Sequence, residues 1–141
     1  MTQAEAPKQR RHHRRGQEGV ATVEAVLVVP LVLIPVLFAV VIFGRIAHTR
    51  IVLDAAAAAG ARAAAVAGAD TSSVDARIVT ELRDGGLDPA RVQVTIEPAS
   101  ANWGEPIRVR LATDEDASIP FLGTWAIPLS SEFVTRSEVT H

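Results

Sequence analysis

One stretch constrains this chain more than any other. From Ala25 to Gly44 it reads AVLVVPLVLIPVLFAVVIFG, 20 positions with no charged residue and no Asn, Gln, Ser or Thr. A helix rises about 1.5 Å per residue, so about 20 residues cover the ~30 Å hydrocarbon core of a bilayer. A soluble helix of that length keeps a polar face. Residues 20–44 are therefore predicted to form a transmembrane helix. Pro30 and Pro35 fall inside it. Prolines are tolerated in membrane helices, where the freed backbone groups find other partners, and they can kink the helix.

Charge divides the rest of the chain. Residues 1–19 hold five Lys/Arg against two Asp/Glu, residues 20–68 three against two, and residues 69–141 six against twelve, for a net charge of -2 over 141 residues. A basic leader, a nearly neutral middle and an acidic tail is not the layout of a uniform globular enzyme. Lys/Arg set orientation, and five precede the span. The prediction is a single-pass protein of the cytoplasmic (inner) membrane with its N-terminus in the cytoplasm and its C-terminal domain outside. A cleaved secretory signal is the competing reading. Against it, the apolar run exceeds the ~7–15 residues of an h-region, and no A-x-A site follows directly. Beside a span, the basic leader is better explained by topology and anionic lipid than by nucleic acid. The expected partner is the lipid bilayer, with no nucleic acid.

The chain has no Cys, which excludes a disulfide scaffold, a thiolate metal site and a cysteine nucleophile. His12, His13, His48 and His141 are not spaced as a ligand set. No Ser/His/Asp set, phosphate loop or paired-carboxylate site stands out. The reading is non-enzymatic, with no metal and no cofactor.

Past the span, residues 45–68 read RIAHTRIVLDAAAAAGARAAAVAG. Alanine is the best helix former, so the helix is expected to continue out of the membrane. Ala56, Gly60, Ala64 and Gly68 place a small residue at every fourth position, a stripe that lets helices approach closely. Two readings stand: a seam for the C-terminal domain of the same chain, and a surface for subunit packing. They can coexist on different faces. Arg62 is expected on the solvated face or paired with a tail acid, and His48 lacks a second ligand at helical spacing.

Residues 69–141 read as a small acidic extracytoplasmic unit, giving an α+β protein overall. Ser72-x-x-Asp75 fits a capping-box variant, and Val74, Ile78 and Leu82, with Val79, form an apolar stripe. Gly85-Gly86 and then Pro89 end it, so a helix is predicted over 73–84. Residues 91–97 and 107–111 alternate apolar and polar as half-buried strands do, with a weaker third strand at 130–139. An antiparallel sheet backed by helix follows. At this size the core is marginal alone, and packing on the alanine-rich helix is expected to supply the missing burial. Asp114-Glu115-Asp116 reads as a solvated loop; a Ca²⁺ site is the alternative, but the glycine-turned EF-hand spacing is missing. Residues 119–125 are strongly apolar and read as domain core, the alternative being a foot at the membrane interface, where Trp is enriched.

Glu24 stands at the edge of the apolar run, with Val20, Ala21 and Val23 before it. A carboxylate at membrane depth is costly and by default a functional hypothesis. The alternative is an acid at headgroup level, where a first helical turn favours it. The segment Gly19-Val20-Ala21-Thr22-Val23-Glu24 resembles the type IV prepilin signature: a short basic leader, a Gly, a hydrophobic first mature residue and Glu at the fifth. That resemblance implies cleavage between Gly19 and Val20 by a prepilin peptidase. It also implies a Glu24 that pairs with the new amine of a neighbouring subunit and so sets register.

A longer stretch, residues 18–66, resembles the TadE-like family, small bitopic pseudopilins and related proteins of Tad/Flp secretion systems. The carriers are the start at Ala21-Thr22-Val23-Glu24, Pro30 near the top of the span, Phe43-Gly44-Arg45 at its exit, and the run from Gly60 to Ala65. Two positions depart from the pattern. Ala25 stands where processed members often have an aromatic, and Ile42 where an acid often precedes Phe-Gly-Arg. The resemblance implies a non-enzymatic pseudopilin, a structural or assembly component whose partners are other Tad pilus subunits and, where the leader is removed, a prepilin peptidase. The alternative function is a membrane-tethered extracytoplasmic binding protein that keeps its leader and does not assemble. The corresponding divisions are a cytoplasmic leader (1–19), the span (20–44), the continuing helix (45–68) and the tail domain (69–141).

Overall fold

One helix, α1, runs from Arg15 to Ala67. The structure is a computed structural model and describes residues 15–68, 71–120 and 122–139. After α1 come α2 (Ser72–Asp84), a 3-10 turn (Pro89–Arg91) and the strands β1 (Gln93–Glu97), β2 (Pro106–Ile119) and β3 (Gly123–Arg136). The strands form one antiparallel sheet in the order β1-β2-β3. This is the α+β arrangement expected from the sequence. The chain divides into two compact units, Met1–Phe38 and Ala39–His141.

In the first unit α1 is long and apolar enough to cross a membrane. Val26, Leu27, Leu31, Val32 and Leu37 all lie more than half exposed. A helix that shows hydrocarbon on every side suits lipid rather than water.

In the second unit α1 changes character. Ile42 and Ile46 are half-buried; from Thr49 onward one face carries Leu53, Ala56, Ala57, Gly60, Ala61 and Ala64 out of solvent. The spacing follows the 3.6-residue period, so these residues share a face. Against them pack Val74, Ile78 and Leu82 of α2 and Ile107, Val109 and Leu111 of β2. Small residues set the distance of approach. A Cβ at Gly60 would lie 2.6 Å from Ile78 Cγ1 and 3.5 Å from Val109 Cγ1. A Cβ at Gly85, just after α2, would collide with the Val52 side chain.

Local chemistry bounds α2. Thr71 is its N-cap in extended conformation, and its carbonyl accepts from Val74 N (2.9 Å) and Asp75 N (3.1 Å). The cap therefore falls one residue before the expected Ser72, and the Thr71 side chain makes no capping bond. At the other end Gly86 adopts φ +76, with Gly86 N bonded to Arg83 O and Leu87 N to Leu82 O. This is a Schellman turn, and its glycine tolerates the left-handed conformation. The Asp88 side chain then accepts from Ala90 N and opens the 3-10 turn at Pro89.

The β2–β3 hairpin is longer than expected. Its register runs from Pro106↔Arg136 to Ile119↔Gly123, whereas the sequence indicated strands at 107–111 and 130–139. The expected loop at Asp114-Glu115-Asp116 is strand. Of the segment 119–125, expected as domain core, Ile119 and Pro120 are half-buried, residues 122–125 are exposed, and Phe121 lies outside the described residues. Leu122 is 61% exposed and Trp125 49% exposed at the hairpin tip. Residues 112–118 are polar or small on both faces, so they carry no alternating signal; cross-strand pairing, not patterning, makes them strand.

Two ties hold the hairpin along α1. Near its base, Glu138 N donates to Ala65 O at 2.9 Å, and Ala101 N donates to Gly68 O at 2.7 Å. Further along β2, Glu115 is only 12% exposed. The buried Thr49 hydroxyl donates to its Oε1 at 2.9 Å, and Arg45 Nη2 donates to its Oε2 at 3.2 Å.

Two outcomes follow. Gly60→Leu drives a side chain into Ile78 and should cost about 1–3 kcal/mol by overpacking. Gly44→Leu, with nothing within 4 Å of its Cβ, should not destabilise the chain and should gain up to about 1 kcal/mol from helix propensity, as thermal melts of the solubilised chain will check. Glu115→Ala strips the acceptor from the buried Thr49 hydroxyl and should cost about 1–3 kcal/mol. Arg45→Ala removes a partner that is 61% exposed and should cost about 1 kcal/mol or less. Equal losses for these two variants in denaturant unfolding would contradict this ranking.

Candidate membrane and assembly site

Sequence pointed to three groups of residues. The structure places the first, Gly19, Val20 and Glu24, within α1, which begins four residues before Gly19. The Gly19–Val20 bond is thus a helical peptide, next to residue types that hold a helix least well, since each Gly costs about 1 kcal/mol relative to Ala. The Glu24 side chain is exposed, like Val23 and Val26 around it. Among the described residues no ion pair reaches it. A carboxylate on an apolar helix surface is an unsatisfied charge unless water, headgroups or another chain reaches it.

The second group is the small-residue stripe. Ala56, Gly60 and Ala64 are buried in the core of their own chain, so this face is occupied by α2 and β2. Gly68 differs from the other three. It lies one residue past the helix end with φ +78, and its N–H bonds to Ala64 O at 2.8 Å. Its part is conformational: it ends α1 in a left-handed turn. The opposite face of α1 shows Ile51, Arg62 and Val66, of which Ile51 and Val66 are 67% and 68% exposed. Arg50 and Asp54 pair there across one turn.

The third group is the acidic run. Alternation along β2 puts Asp114 and Asp116 on the outer face, while Glu115 turns inward to Thr49 and Arg45. Carboxylates on opposite faces of a strand cannot converge on one cation. Asp116 pairs loosely with Arg91 at 3.8 Å, and Arg91 also donates to Asp114 O. Among the described residues, no three His, Asp or Glu side chains gather at metal-holding distance. His48 is exposed and bonds to backbone: its Nε2 lies 3.0 Å from Gly85 O. A carbonyl only accepts, so that nitrogen carries the proton.

Sequence reasoning missed the Thr49–Glu115–Arg45 set. A signal for it existed. Extending the strand from Ile107 by twos gives Val109, Leu111, Thr113 and Glu115 on one face, which marks Glu115 as an inward acid in need of a partner. The outer sheet face is polar and open. Gln93, Thr95, Glu97, Arg108, Arg110 and Glu132 line a shallow hollow there, with Arg108 Nε 3.1 Å from Glu132 Oε1.

No curated protein and no solved structure matches the chain. A family model does match it, over residues 19–62, and its description is TadE-like protein. That interval runs from Gly19 to Arg62 near the end of α1, and it contains Glu24, Phe43-Gly44-Arg45 and Gly60. Over this segment the chain matches the TadE-like model, the family that its residues resemble.

Proposed function

We propose that this protein is a non-enzymatic, pseudopilin-like component of a Tad-type pilus or secretion apparatus, anchored once in the inner membrane. The observation that carries the reading is the family match over residues 19–62, which covers the span and its exit. In this reading residues 1–19 are a cytoplasmic leader, α1 crosses the bilayer over 20–44, and the acidic unit lies outside. The cation excess ahead of the span supports that orientation. The partners are the bilayer, other pilus or pseudopilin subunits and a prepilin peptidase.

Physical chemistry gives Glu24 its part. Cleavage after Gly19 frees an ammonium on Val20, four residues before the carboxylate. Both charges lie at the edge of the hydrocarbon, where each needs a counter-charge. Pairing the amine of one subunit with Glu24 of the next satisfies both and fixes their axial register. Among the described residues, the small-residue stripe is already buried within the chain. Subunit packing around the exit helix therefore falls to the Ile51–Val66 face.

Two measurements test the reading. In a host with its own prepilin peptidase, the membrane-extracted protein should begin at Val20, which intact-mass analysis reads directly. An intact leader on every molecule would favour the tether that does not assemble. Glu24→Ala should insert normally and still be cleaved, since Gly19 is untouched. It should lose co-purification with pilus partners, because an unpaired buried ammonium costs about 3–5 kcal/mol, less where water reaches it. Equal partner recovery from wild type and variant, at matched membrane levels, would remove the register role.

A further inference from the structure

The apolar hairpin tip has a place to go. From Ala117 to Ser131 the sequence runs fifteen residues without a charge, and its middle forms the β2–β3 turn. Leu122 and Trp125 are 61% and 49% exposed there, and Ile119 is half-buried. Exposed hydrocarbon of this kind, with a Trp, needs a partner surface.

Position along α1 identifies the partner. Glu138 bonds to Ala65 near the base of the hairpin, Val109 lies beside Gly60, and Glu115 bonds to Thr49 and Arg45. Moving from base to tip therefore means moving back along α1 toward its apolar run. The rises agree: six strand residues from Val109 to Glu115 cover about 20 Å, and the eleven helix residues from Gly60 to Thr49 cover about 16 Å. The four residues from Glu115 to Ile119 add about 13 Å, or roughly nine helix residues. That brings the tip level with the end of the apolar run, around Val40 to Phe43. The half-buried stripe on α1 reaches the same level at Ile42.

We infer that the β2–β3 tip, carrying Ile119, Leu122 and Trp125, seats in the headgroup–acyl boundary of the bilayer from which α1 emerges. This rests on α1 crossing a bilayer and is independent of assembly with pilus subunits. Depth is limited by hydrogen bonding. Among the described strands, β3 pairs with β2 alone, so its outer backbone groups need water or headgroups and do not enter hydrocarbon. The side-chain hydroxyls at the tip already pair, Thr124 donating to Ser118 at 3.1 Å. Trp is the side chain that favours this boundary, with an apolar ring and a polar N–H. The exposed Arg45 beside Glu115 then lies at headgroup level. The tip becomes a second point of membrane contact that fixes the rotation of the outer unit about α1.

The chain carries its own reference fluorophore. Trp103, 71% exposed, lies at the opposite end of the hairpin, where Gly104 N bonds to Ser137 O. The experiment uses the full chain in phosphatidylethanolamine/phosphatidylglycerol vesicles with brominated acyl chains, as Trp103→Phe and Trp125→Phe variants. The expected result is blue-shifted Trp125 emission, most of it lost to bromolipid and little to aqueous acrylamide, with Trp103 showing the reverse. Leu122→Asp should red-shift Trp125 and restore its acrylamide quenching. Trp125 as acrylamide-accessible as Trp103 would overturn the inference. So would Trp125 shielded from acrylamide yet untouched by bromolipid, which marks packing against protein. Failure of the chain to float with the vesicles would overturn the span itself. Flotation with an unquenched Trp125 would overturn only the tip contact.

Discussion

The close approach at Gly60 is the constraint on which the outer unit depends. With a hydrogen in place of a side chain, Ile78 of α2 and Val109 of β2 meet α1 at one point. Ala56, Ala57, Ala61 and Ala64 extend that thin surface along the helix. Methyl-sized side chains lose almost no rotamer entropy on burial and let the larger residues of α2 and β2 fill the space. The tail thus borrows part of its core from the helix that anchors it. Val52 and Leu53 of α1 sit in the same buried cluster as Val74, Leu82 and Leu111.

This sharing couples the exit of α1 to the domain it carries. One helix exposes apolar side chains over its early turns and enters a packed protein core over its later ones, with residue chemistry changing at Gly44-Arg45. A rotation or shift of the later turns has to carry α2 and the sheet with it, because their apolar faces have no other cover among the described residues.

Glu115 shows how one polar interaction directs a whole element. A carboxylate on the inner sheet face is costly unless bonded. Thr49 and Arg45 are the groups that donate to it, and both stand where α1 leaves the apolar run. The hairpin is therefore held against α1 at that level, which leaves its uncharged tip beyond the last tie. The two outward acids, Asp114 and Asp116, have no such demand and remain in solvent or with Arg91.

Much of this was legible in the residues. The 20-residue apolar run, the alanine-rich continuation, the Val74–Ile78–Leu82 stripe and the Gly85-Gly86 stop all rest on local periodicity and backbone preference, which act within a few residues of chain. The stretch from Gly19 to Arg62 also carried its family likeness on its face. Beyond Leu111 the hairpin was legible only by carrying the alternation on by twos to Glu115. Residues 112–118 have no apolar alternation, and their strand is decided by pairing with residues up to eighteen positions away and by a bond from Glu115 to a helix 66 residues earlier. The stripe at Ala56, Gly60 and Ala64 announced close packing from sequence alone, but only the tertiary structure decided what packs there. Small side chains permit approach without naming a partner, and the shape of Ile78 and Val109 supplies the name.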